Sequence, residues 1–134
     1  MLNKLNKEFN FNRYALNLRA YRQELLASNI ANSDTPNYKS LDINFSKILQ
    51  SLLKQNYRNN KNDLTITSNK HISISNDDIS DNYHKIIEKN YIFSDNKVNV
   101  DAEKINFVNN SLLYQMEIAF INNKFKTFMS VLKG

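Results

Sequence analysis

A chain of 134 residues suits one domain, and its single glycine and single proline exclude a barrel or sandwich of short strands, which needs frequent turn residues. The lack of cysteine removes a disulfide framework, a thiolate zinc site and a cysteine nucleophile. The formal charge of +5 would suit an anionic partner if it were clustered, but lysines and arginines are spread along the chain, so a solvated surface is the expected reading.

The opening "MLNKLNKEFNFNRYALN" has no apolar core ahead of a small-residue cleavage site, so no conventional signal peptide is expected. No segment approaches the apolar length of a membrane span. From about 9 to 32 the chain lacks helix breakers and keeps a 3–4 spacing, which predicts a long helix. Phe11, Ala15, Leu18, Leu25 and Asn29 share one face; Tyr14, Leu18, Tyr21, Leu25 and Ser28 form an overlapping stripe; Leu16, Ala20, Ala27, Ile30 and Ala31 lie on another side. An ordinary surface helix has one apolar stripe, and this one has more.

The helix meets "SNIANSDTPNYKS" at 28–40. Pro36 disfavours the α conformation at Thr35, so the helix is expected to end by Asn32 or Ser33. Pro36 followed by Asn37 suits a type II turn, whose third residue needs a positive φ that asparagine tolerates better than other non-glycine residues. Tyr38 is then expected to fold back onto the helix. Asn29 and Asn32 either bond across a subunit boundary or form a frayed, polar helix end.

The middle, 34–98, is expected to be the least ordered part. Leu41 to Leu53 predicts a short amphipathic helix with Phe45, Ile48, Leu49, Leu52 and Leu53 on its apolar face. "NYRNNKND" at 56–63 reads as a solvated loop, and "LTITSNKHISIS" at 64–75 as one or two short strands. "YHKIIEKNYIF" at 83–93 fits helix or strand. His71 and His84, with Asp77, Asp78 and Asp81, are the only material for a metal or general-base site, but their spacing matches no motif. No cofactor, metal or catalytic residue is expected, and the sole glycine, at the last position, excludes a glycine-rich phosphate loop.

A second long helix is predicted over 100–133, with Asp101 as N-cap and a Val100–Ile105 staple. Ile105, Val108, Leu112, Met116 and Ala119 make one stripe; Ile118, Ile121, Phe125, Phe128 and Leu132 make another. A two-helix hairpin uses one stripe from each helix. Leu18, Leu25, Ile118, Ile121, Phe125 and Phe128 are therefore the candidate assembly residues, and at least two of the last four are expected to pack on a neighbouring subunit.

"ALNLRAYRQELLASNIANSDTPNYKS" resembles the amino-terminal signature of the flagellar rod and hook proteins, roughly N-I-A-N-x-x-T-P-G-Y. Asn29, Ile30, Ala31, Asn32, Thr35, Pro36 and Tyr38 match it, and Asn37 stands where the family has glycine. The resemblance is strong over 9–45 and again over 98–134, and is closest to proximal rod members; between them only "LTITSNKHI" matches, weakly. It implies a mainly α, single rod-type domain of residues 1–134 whose terminal helices pair as an antiparallel, coiled-coil-like hairpin. Many hairpins would pack into a tubular rod, the drive shaft of motility in the basal body. Its implied partners are copies of itself, other rod proteins, the basal-body ring, an adaptor at the rod base and the flagellar export apparatus, without nucleic acid. A basic helical nucleic-acid-binding protein is the alternative, and would show binding that weakens steeply with salt.

Overall fold

The computed structural model describes residues 2–62, 83–94 and 96–134. Helix α1 spans Leu2–Ala31 and strand β1 Leu41–Ile43; helix α2 spans Phe45–Asn62; residues 83–88 form a short helix, α3; strand β2 spans Tyr91–Phe93 and helix α4 Val100–Lys133. The strands pair in a two-stranded antiparallel sheet, and α1 packs against α4 as the expected hairpin. At about 1.5 Å per residue these helices run roughly 45 and 50 Å.

The contacts divide the chain into two compact units, Met1–Asp42 with Phe93–Gly134, and Ile43–Ile92. The first holds the hairpin, and its buried apolar residues are few: Ala15, Leu18, Leu26 and Val98. The second is built on Ile43, Ile48, Leu52 and Ile87. Asn44 caps α2, its side-chain oxygen accepting from the Lys47 amide at 3.1 Å. Ile48 and Leu52 are buried one turn apart, with Phe45, Leu49 and Leu53 half-buried beside them, as the amphipathic pattern predicts.

Several boundaries differ from the sequence reading: Leu41–Ile43, expected to open the short helix, form β1 instead, and α2 begins at Phe45. Helix α1 begins at Leu2 rather than near residue 9, and α2 continues to Asn62 through the expected loop at 56–63. In both places the residues are mostly polar but include no glycine or proline, and the lysine, arginine, glutamate and leucine among them favour helix. Loss of apolar patterning there did not end the helix. The ambiguous run at 83–93 is both things in turn, helix over 83–88 and strand over 91–93. The strands expected at 64–75 lie outside the described residues. The N-cap of α4 is Asn99, whose Oδ1 accepts from the Ala102 amide at 3.2 Å, and not Asp101. Asp101 and Glu103 instead lie in the first turn, where their charges complement the helix dipole, as Lys133 does at the other end.

The turn after α1 has the expected geometry. The Tyr38 amide donates to the Thr35 carbonyl at 3.2 Å, and Asn37 has φ 59°, the only positive φ outside glycine among the described residues. Proline at the second position holds φ near −65°, so a positive φ at the third makes this a type II turn. Replacing Asn37 with glycine should leave the thermal midpoint within a degree or so of the parent or raise it. Asn37→Val should lower stability by about 1–2 kcal/mol, because a β-branched residue is strained there. Thermal denaturation followed by circular dichroism checks both, and equal midpoints would contradict the strain argument.

Candidate functional site

The signature segment is organised by one buried side chain. Asn29 is 1% exposed on the last turn of α1. Its Nδ2 donates to the Leu41 carbonyl at 2.9 Å and to Glu103 Oε2 at 3.0 Å. Its Oδ1 accepts from the Leu41 amide at 3.0 Å and from the Tyr38 hydroxyl at 3.0 Å. An asparagine side chain has two N–H donors and two acceptor lone pairs, and all are used. The amide pairs with both backbone groups of Leu41 as a neighbouring strand would. One residue thus joins α1, the turn, β1 and α4. Neither a bond across a subunit boundary nor a frayed helix end describes Asn29, because its four hydrogen bonds all go to three residues of its own chain.

The neighbours reinforce this arrangement. Asn32 bonds twice to the Ser28 carbonyl, through its backbone amide at 3.0 Å and its side-chain amide at 2.9 Å, which ties the residue after α1 to the last turn of the helix. Thr35 Oγ1 lies 3.5 Å from Asn32 Oδ1, which closes the turn locally. Ile30 is half-buried, while Ala31 and Pro36 are exposed. Two turns back on α1, Arg22 grips Asp42 through a fork of two bonds, Nε to Oδ1 at 2.8 Å and an Nη to Oδ2 at 2.7 Å. The hydrogen bond to Asp42 raises Arg22 above its ordinary pKa, against the opposing effect of burial; the charges of Asp42 and Glu103 add to the rise. A raised pKa means the contribution of this cation is complete below the unfolded value and lost only as pH climbs past the folded one, so Arg22 stays charged throughout ordinary conditions.

The pairing of α1 with α4 departs most from the sequence reading. A series of α4 residues turned toward α1, Glu103, Phe107, Asn110, Tyr114, Glu117, Ile121 and Lys124, alternates by four and three, with Asn106 and Ser111 half-buried beside it. Every other one is polar, and each of those four bonds to α1. Glu103 accepts from Asn29, and Asn110 donates to the Arg19 carbonyl at 2.9 Å and to Gln23 Oε1 at 2.6 Å. Glu117 pairs with Arg19 at 2.9 Å, and Lys124 with Glu8 at 2.7 Å. The spacing of seven residues was visible in the sequence, but a search for apolar stripes passes over a polar one.

The most regular apolar stripe of α4 therefore lies outside the hairpin. Ile105 is 61% exposed, Val108 63%, Leu112 56% and Met116 59%. Of the candidate assembly residues, Leu18 is fully buried within the chain and has no surface to offer a neighbour. Leu26, rather than Leu25, is its buried companion on α1; Leu25 is half-buried. Ile121 is half-buried on the α1 side, whereas Ile118, Phe125 and Phe128 are exposed.

His84 is exposed with its ring edge-on to Tyr83 at 5.8 Å; His71, Asp77, Asp78 and Asp81 lie outside the described residues. Among the described residues no cluster of metal-ligating side chains occurs, and no helix is long and apolar enough to cross a membrane.

Replacing Asn29 with alanine should cost about 2–4 kcal/mol, since both Leu41 backbone groups lose their partner in a buried setting. Asn29→Asp should be worse at pH 7, where the new carboxylate faces Glu103 and the Leu41 carbonyl. That environment raises the folded pKa of the new carboxyl, so its penalty shrinks as pH falls and the proton returns. Thermal midpoints at pH 7 and pH 5 test this: the gap between the aspartate and alanine variants should narrow at the lower pH.

Residues 9–39, which contain Asn29 and the turn, match the family described as flagella basal body rod protein. Over its whole length the chain is 53% identical to the flagellar basal body rod protein FlgB of Buchnera aphidicola subsp. Baizongia pistaciae, and covers all of it. It is 45% identical to FlgB of Buchnera aphidicola subsp. Acyrthosiphon pisum, again with full coverage of both chains. Against FlgB of Escherichia coli K12 the identity is 37%, over all of this chain and 99% of the relative. With identity of this degree sustained from end to end, the chain belongs to the FlgB family of flagellar basal body rod proteins.

Proposed function

We propose that this chain is a structural subunit of the proximal rod, polymerising side by side with copies of itself and with other rod proteins. The observation that supports it is the outer face of α4. Ile105, Val108, Leu112 and Met116 project away from α1, so folding of the chain itself leaves them in water. An apolar stripe several turns long on a folded chain marks an interaction surface. Neighbouring subunits are its natural cover, and Ile118, Phe125 and Phe128 extend the same assembly role toward the end of α4. The basal-body ring and the adaptor at the rod base are the partners proposed for the first layer, and the flagellar export apparatus delivers the chain. The role is mechanical and needs no cofactor or catalytic group.

Two substitutions separate assembly from folding. Leu112→Asp should leave the helicity and thermal midpoint of the purified chain unchanged, because that residue touches water in the free subunit. In a flagellated host lacking its own copy it should abolish swimming and leave basal bodies without a rod, since burying the charge costs several kcal/mol at each interface. Ile121→Asp should lower the midpoint of the free chain, since Ile121 faces α1. Swimming at the parental rate with Leu112→Asp would remove the outer stripe from the interface.

A further inference from the structure

We propose that Glu103, Asn110, Glu117 and Lys124 form a register lock, setting which turn of α4 lies against which turn of α1. The inference rests on the hairpin alone and not on the assembly reading. The apolar half of the seam cannot choose a register. Phe107, Tyr114 and Ile121 repeat every seven residues, and the exposed Phe128 follows at the same interval, so sliding α4 by one heptad sets one large apolar side chain in the place of another. Two helices of this length joined only by such positions would have neighbouring alignments of similar energy.

The polar half is not degenerate. In the observed register Glu117 meets Arg19 and Lys124 meets Glu8, while Asn110 and Glu103 bond to Gln23 and Asn29. Sliding α4 so that Lys124 takes the place of Glu117 sets its ammonium against the Arg19 guanidinium. Sliding it the other way brings Glu117 to Glu8, carboxylate against carboxylate. Each one-heptad error creates a like-charge contact where the observed alignment has an opposite-charge one. The lock also carries a cost that a purely stabilising contact would avoid. Asn110 is 1% exposed, and its Oδ1 and the Glu117 Oε2 are buried without a hydrogen-bond partner among the described residues. Leucine at these positions would leave no such atom. Polar groups kept in a helix seam at this cost are best explained by alignment.

The native chain has no cysteine, so nitroxide labels can be attached at Ala27→Cys and Asn122→Cys, both exposed and well separated along the hairpin axis. Pulsed dipolar spectroscopy of the full-length labelled chain should give one distance. In the same chain Glu117→Lys sets a cation against Arg19 in the native register and offers an ion pair with Glu8 in the slid one. It should add a component longer by about 10 Å, the rise of one heptad. A distance distribution unchanged by Glu117→Lys, with helicity intact, overturns the proposal. If Glu117→Lys instead broadens the distribution without a distinct component, Arg19→Glu combined with Glu117→Lys decides. Return to the single native distance supports the lock, and persistence of the broad distribution overturns it.

Discussion

The first unit of this protein depends on a side-chain amide held out of water. Asn29 stands where α1 ends, and its four hydrogen bonds take up the turn through Tyr38, the next strand through Leu41, and the start of α4 through Glu103. A buried asparagine is stabilising only when every polar atom is matched, since each unmatched one carries its full desolvation cost. The type II turn delivers that match. With Asn37 at positive φ the chain doubles back within a few residues, which brings Leu41 level with Asn29. The Arg22–Asp42 fork then holds the returning segment along α1. The residues of the signature are thus a mutually dependent set: proline and asparagine for the turn, tyrosine and asparagine for its anchor.

Helix α4 divides its work around its circumference. One side carries the alternating polar and apolar positions that meet α1; the opposite side, over its first half, carries Ile105, Val108, Leu112 and Met116 in water. The arrangement suits a subunit whose apolar surface is reserved for other molecules. If those residues formed the hairpin seam, the free chain would satisfy itself and have little left with which to assemble. A polar seam lets the hairpin close while leaving the larger apolar area exposed. The small number of buried apolar residues in this unit follows from the same division, because most of the large ones on α4 face outward.

Much of this was legible in the residues. The lack of glycine and proline pointed to long helices, the run from Asn29 to Tyr38 to a helix stop and a positive-φ turn, and the surplus of apolar stripes to apolar surface that the hairpin does not cover. Errors fell where polarity was taken for coil, at the start of α1 and the end of α2, and where an aspartate was preferred to the asparagine two residues earlier as the cap of α4. A cap is chosen by which side chain reaches the third amide of the helix, a matter of backbone geometry that residue type only biases.

By itself the sequence determined the two long helices, the turn and the family, because these rest on local rules: backbone freedom at single residues, the period of apolar side chains, and a signature contiguous in the chain. The tertiary structure alone decided which stripe of each helix turns inward. Periodicity shows that residues share a face but not what that face meets, and here the seam was selected by hydrogen bonds and ion pairs between residues as far apart as Glu8 and Lys124. Those bonds form only when two distant segments are aligned, so the outward placement of the apolar stripe is a property of the pair of helices and of neither one alone.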